Sequence, residues 1–225
     1  MLKRLLFNIK LLFPLNMPIK GLYAITPDIA DTHLLLKKVE AALQGGASVL
    51  QYRNKLANHT LQLQQACELL PLCRQYSIPF IINDSIELCL TLDADGVHLG
   101  ANDGNLAEVR AKIGADKILG ASCYNRFDLA LQAQAQGASY VAFGACFAST
   151  TKPNAIKASL DLFTKASAEL DIPAVAIGGI TLQNAPQLVK AGVSSIAVIH
   201  AIFSPSFTMD EVKTASQQFS FMFTH

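Results

Sequence analysis

Four stretches of the chain share one pattern, in which a helical period closes on Gly or Ala and a short β-branched, apolar run follows at once. They are QGGASVLQYR (44–53), DADGVHLG (93–100), QGASYVAFG (136–144) and AGVSSIAVIH (191–200). Glycine at such a junction suits the left-handed backbone that ends a helix. The runs that follow are almost continuously apolar rather than alternating, which implies burial on both faces and hence parallel strands covered by helices. Further strands are predicted at 21–27, 79–84, 117–123 and 173–179, with helical periodicity at 32–45, 60–76, 126–136 and 181–191. Eight βα units predict an α/β protein, a single closed (β/α)₈ TIM barrel. The rival, an open doubly wound sheet, usually has fewer strands and a glycine fingerprint after the first. Here the first strand runs into TPDIADTH, which has no such glycines.

Composition fits this picture. The 225 residues are 51% hydrophobic and 16% charged, enough apolar material for a core and against disorder. A net charge of +1 gives no reason to expect a nucleic-acid partner, so any anion must be met by local placement of Lys and Arg. The five cysteines (67, 73, 89, 123 and 146) form no C-x-x-C pair and read as small buried hydrophobes in a reducing cytoplasm. In residues 1–17, MLKRLLFNIKLLFPLNM, Lys10 splits the apolar run and no small-residue cleavage site follows. We read 1–17 as a short amphipathic extension, or as sequence upstream of a start at Met17, and 18–225 as the barrel domain. No apolar run approaches the roughly 18 residues of a membrane span. The sequence leaves a homo-oligomer open.

In a barrel, chemistry sits where strands end and βα loops begin. Gln51, Arg53 and Lys55 alternate after the second strand and so face one way when extended. Two cations turned inward together call for an anion, for which Arg supplies a planar fork and Lys a point charge. The third strand ends Asn83-Asp84, and the fourth runs on to Asp103. Each aspartate alone reads as a helix N-cap. Together, facing a basic strand, they suit a Mg²⁺–diphosphate complex. The fifth strand ends at Ser122, and the sixth leads to Ser149, Thr151 and Lys152. Gly178-Gly179 and Ile199-His200, after the last two strands, occupy the usual phosphate position of such barrels, with Thr181 as a helix cap. His98, mid-strand, reads as a satisfied core histidine, and His33 and His59 as surface residues.

GLYAITPD, QYRNK, PFIINDSIEL, DGVHLG, ILGASC, FGACFASTTK, AIGGIT and VIHAI stand in the order found in the thiamine-phosphate synthase family, which the chain resembles over roughly 20–203. The resemblance implies a transferase that joins hydroxymethylpyrimidine diphosphate to a thiazole phosphate, releasing diphosphate through a dissociative, pyrimidine-stabilised cation. By the same likeness, Gln51, Arg53, Lys55, Asn83, Ser122 and Lys152 would bind the pyrimidine diphosphate. Lys55, Ser122 and Lys152 would be the catalytic members of that set. Asp84 and Asp103 would hold Mg²⁺, while Ser149, Thr151, Gly179 and the backbone at Ile199-His200 would bind the thiazole phosphate. The chain departs from the family's usual residues at His200, where members carry Ser, at Ser149 (Thr), and at Ala145 and Ala148 (Pro). Two alternatives share the barrel: a TenI-type thiazole tautomerase, and a catalytically silent barrel that binds thiamine precursors. Retention of Asp84, Asp103, Arg53 and Lys55 favours the synthase over the tautomerase.

Overall fold

A computed structural model describes residues 19–100, 104–147 and 158–224, so the extension at 1–17 lies outside the described residues. Eight parallel strands close into a barrel in sequence order. They are β1 (Gly21–Ile25), β2 (Ala47–Tyr52), β3 (Phe80–Asn83), β4 (Gly96–Leu99), β5 (Ile118–Tyr124), β6 (Tyr140–Phe143), β7 (Ala174–Ile177) and β8 (Ser195–Val198). The helices are α1 (Thr32–Gln44), α2 (His59–Gln75), α3 (Ile86–Leu92), α4 (Leu106–Ile113), α5 (Phe127–Ala135), α6 (Leu160–Glu169), α7 (Ala185–Lys190), α8 (His200–Phe203) and α9 (Met209–Phe221). Among the described residues no helix is long and apolar enough to cross a membrane.

The strands are apolar on both faces because both are packed. One set of alternating residues, including Tyr23, Ile25, Val49, Ile81, Tyr140 and Val175, fills the barrel. The other set, including Leu22, Leu50, Phe80, Val97, Leu119 and Ile196, packs outward beneath the helices. Side-chain caps start most of the helices: Asp31 accepts from Leu34 N–H, Asn58 from Leu61, Ser85 from Leu88 and Ser159 from Leu162. Thr208 and Glu211 form a reciprocal capping box on α9.

The junction pattern holds at α5 and α7, where Gly137 and Gly192 take φ of +87° and +90° just past the helix ends. It fails in DADGVHLG. There Asp93 adopts the left-handed conformation that closes α3, at φ +51°. Gly96 is instead the first residue of β4, pressed so close to β5 that a Cβ would sit 2.2 Å from the Ile118 carbonyl oxygen. Two other expectations are corrected. Cys67 is exposed on α2, whereas the other four cysteines are buried. Thr181 does not cap a helix, because α7 starts later, at Ala185, and Asn184 precedes it.

Candidate active site

The alternation read after the second strand persists beyond the strand's last residue. Gln51 points into the barrel, where its Nε2 donates to Tyr23 OH at 2.9 Å. Tyr52 points outward and donates to Gln65 Oε1 on α2. Arg53 returns to the mouth, and Asn54 again turns outward, donating to the Ile29 carbonyl and to Gln65 Oε1. Lys55 is exposed at the rim. Neither Asn54 nor Gln65 was singled out in the sequence, yet both are buried and hold the basic segment against α2.

Arg53, Lys55, Asn83 and Asp84 line one cleft of about 270 Å³, together with Asn54, Gln62 and Ser85. The bland reading of Asp84 as a helix cap fails, because Ser85 caps α3. The corresponding role on α4 falls to Asn105, which accepts from Ala107 and Glu108 N–H groups. Asp84 itself adopts φ +61°, a left-handed conformation that Asp tolerates better than most residues. Its carboxylate suits a hard cation that takes oxygen ligands. Among the described residues no group of three or more His, Cys, Asp or Glu gathers as a metal cluster. Asp103 lies outside the described residues, as do Ser149, Thr151 and Lys152.

A further residue that sequence reasoning missed is Asp28. Its carboxylate faces Arg53 Nη1, with both oxygens at 3.2 Å, and accepts the Lys55 backbone N–H at 2.7 Å. Thr26 completes the arrangement by accepting the Arg53 N–H and donating to the Arg53 carbonyl. The available signal was a carboxylate just past the end of the first strand, beside a strand that ends in two cations.

Across the barrel, Ser122 precedes a register irregularity in β5. Such bulges re-aim side chains near sites. His98 is buried and bonded, as a core histidine should be, but one of its partners is Ser122, at 2.9 Å from Nε2. On the far side of the mouth, Gly178 takes φ +99° and Gly179 +64°. A Cβ on Gly178 would meet Ala145 at 2.8 Å, so the turn packs tightly on the loop after β6. Asn184, also missed, fixes this turn by donating to the Gly179 carbonyl and accepting from Thr181 N–H. Ile199 is the N-cap of α8 and His200 its first residue, so the eighth strand ends at Val198 rather than at these two. The first N–H groups of a helix have no intrahelical acceptor, and His200 is exposed beside them.

The site residues therefore fall into three groups among the described residues: the basic and acidic cleft, Gln51 and Ser122 inside the barrel, and, after the last two strands, the Gly178-Gly179 turn and the Ile199-His200 start of α8. Two cations and a carboxylate in one cleft suit a metal-bound diphosphate, and glycine turns beside a helix start suit a second phosphate.

The sequence profile described as thiamine monophosphate synthase matches residues 22–202. A thiamine-phosphate synthase from Methylobacillus flagellatus is 53% identical over 206 residues, covering 92% of this chain and 96% of the relative. One from Aromatoleum aromaticum is 51% identical over 185 residues, covering 82% of this chain and 89% of the relative. The solved structure of a thiamine phosphate pyrophosphorylase from Pyrococcus furiosus superposes with a TM-score of 0.78 at 33% identity, covering 92% of this chain and 96% of that one.

Proposed function

The chain belongs to the thiamine monophosphate synthase family, and we propose that it is a Mg²⁺-dependent thiamine-phosphate synthase. In this reaction the bond between the pyrimidine methylene carbon and its diphosphate oxygen breaks, and a bond from that carbon to the thiazole-phosphate nitrogen forms. Diphosphate departs and thiamine phosphate remains.

One observation carries the assignment of the site: Arg53, Lys55, Asn83 and Asp84 share a single cleft, with the capping of α3 left to Ser85. Arg53 and Lys55 neutralise the diphosphate as charge develops on its departing oxygen, an electrostatic contribution that needs fixed cations rather than proton transfer. Asn83 donates to the same anion. Asp84, with Asp103 assigned from the sequence as its partner, would hold Mg²⁺, which when bound spreads the leaving charge. Gln51 and Ser122 hold the pyrimidine ring. Lys152 joins the pyrimidine diphosphate site. Gly179, Ile199 and His200 hold the thiazole phosphate with Ser149 and Thr151. These roles rest on the family likeness and on the chemistry of the side chains. We place the enzyme in the cytoplasm, with 18–225 as its barrel domain and 1–17 as an extension.

The test is a direct assay with both substrates, with and without Mg²⁺, scoring thiamine phosphate by mass. Asp84→Asn runs alongside, because Asn tolerates the left-handed backbone at this position. Mg²⁺-dependent product that is lost in a folded variant is the expected result. Metal-independent isomerisation of the thiazole phosphate would overturn the reading in favour of a tautomerase. Tight binding of both substrates without product would overturn it in favour of a silent barrel.

A further inference from the structure

A row of five polar side chains crosses the interior of the barrel. Gln51 Nε2 donates to Tyr23 OH at 2.9 Å, and the two phenols of Tyr23 and Tyr140 are 2.7 Å apart. Tyr140 OH meets His98 Nδ1 at 2.8 Å, and His98 Nε2 meets Ser122 Oγ at 2.9 Å. The five residues come from five different strands, β2, β1, β6, β4 and β5. Tyr23 and Tyr140 are 1% exposed, Gln51 4% and His98 8%, so the middle of the row is closed to bulk solvent.

The barrel is shaped around this row. Gly120 pairs in register with both His98 and Tyr140. A Cβ there would lie 2.2 Å from Tyr140 Cζ and 2.5 Å from His98 Nδ1. A glycine between the two strands is what lets the rings stack at 5.5 Å. Burial raises both phenols well above their ordinary pKa, so each remains an O–H.

Counting hydrogens shows what such a row does. Its four bonds need one hydrogen each. With a single proton on the His98 ring, Tyr23, Tyr140 and His98 supply three, so the fourth comes from an end. If Gln51 supplies it through its amide NH₂, Oε1 is turned to the mouth as an acceptor, and Ser122 keeps its O–H to donate. If Ser122 supplies it, the amide turns over, so that NH₂ faces the mouth and Ser122 offers only a lone pair. No buried side-chain nitrogen or oxygen among the described residues lacks a partner. The amide atom of Gln51 that is outside the row is therefore open to the mouth. In either state the two ends offer one donor and one acceptor, and they change over together.

We propose that Tyr23, Tyr140 and His98 are positioning residues that hold Gln51 and Ser122 in opposite hydrogen-bonding roles, so that the pair reads a heterocycle with an N–H donor beside a ring-nitrogen acceptor. An aminopyrimidine has such an edge. The substrate half of this inference rests on the reading that Gln51 and Ser122 hold the pyrimidine; the row itself does not.

The test uses Tyr140→Phe, which cuts the row at its centre, and Tyr23→Phe, a smaller cut, should the first fail to fold. Each is measured for the KM of both substrates, alone and combined with Ser122→Ala. The expected result is a KM for the pyrimidine diphosphate raised about tenfold, the equivalent of one good hydrogen bond, with the KM for the thiazole phosphate unchanged. In the Ser122→Ala background the same cut should add little, because the row has already lost its far end. Nitrogen-15 spectra of His98 should show one neutral tautomer in the wild type with pyrimidine diphosphate bound and a mixture in Tyr140→Phe. Equal rises in both KM values, or effects that multiply independently, would mean a merely structural role and overturn the proposal. A tautomer untouched by Tyr140→Phe would overturn it as well. A wild type that makes no thiamine phosphate would instead sink the functional reading, and the tautomer would still decide whether the row acts as one unit.

Discussion

Gly120→Ala adds one methyl group at the point where the barrel has no room for it. Gly120 lies in β5 without a left-handed φ, so the cost is steric rather than conformational. The added Cβ would lie 2.2 Å from Tyr140 Cζ and 2.3 Å from its hydroxyl oxygen. Carbon atoms at ordinary contact are about 3.5 Å apart, so the ring has to retreat by about 1.3 Å. That retreat carries the hydroxyl beyond hydrogen-bond range of Tyr23 or His98, now at 2.7 and 2.8 Å. Overpacking of one methyl costs about 1–3 kcal/mol, and one unmade buried hydrogen bond about 1–3 kcal/mol more. A total of about 4 kcal/mol corresponds to a Tm lower by about 8–16 °C in a domain of this size. The assay is a thermal melt paired with urea unfolding, in which the midpoint falls while the slope stays constant. The KM for the pyrimidine diphosphate should rise in the same variant. A Tm within about 2 °C of wild type, with that KM unchanged, would refute both the packing argument and the place of Gly120 beside the row.

Two other perturbations follow from the geometry. Asp28→Asn keeps an oxygen for the Lys55 N–H but removes the charge now set against Arg53; calorimetric titration with inorganic diphosphate should show tighter binding, most of all at low ionic strength, and weaker binding would mean that Asp28 is needed to aim Arg53. Asp95 accepts the Phe80 N–H at 2.8 Å, and burial raises its carboxyl above the ordinary 3.8. The folded state therefore holds this proton to higher pH than the unfolded chain does, so the group's contribution to stability falls as pH rises from 3.8 through the raised value. Asp95→Asn keeps an acceptor and loses that dependence. Its advantage in urea midpoint over wild type should grow from acid to neutral pH, and an advantage that is constant or shrinks contradicts the sign.

The strands were readable because a barrel strand buried on both faces leaves a mark within a few neighbouring residues: a β-branched run, then a turn signal. Where local and tertiary demands met at one residue, the reading slipped. Gly96 looked like a helix cap, but it is glycine because β5 lies against it, and no neighbour in sequence reports that contact. Thr181 read as the cap of the next helix, but α7 starts at Ala185 with Asn184 before it. The reason is that capping depends on which backbone N–H a side chain reaches, not on residue type alone.

The sequence by itself determined the fold class, the eight strands and the family, because these rest on periodicity and on motifs whose order is fixed along the chain. It put Gln51, Arg53 and Lys55 on one face by parity, and Asn83, Asp84 and Ser122 at the ends of their strands. Only the tertiary structure decided what surrounds them. Asp28 meets Arg53 across 25 residues of chain, and Tyr23 meets Tyr140 across 117. A hydrogen bond or a clash depends on a separation of a few tenths of an ångström. Closing the barrel sets that separation between residues whose distance in sequence carries no trace of it.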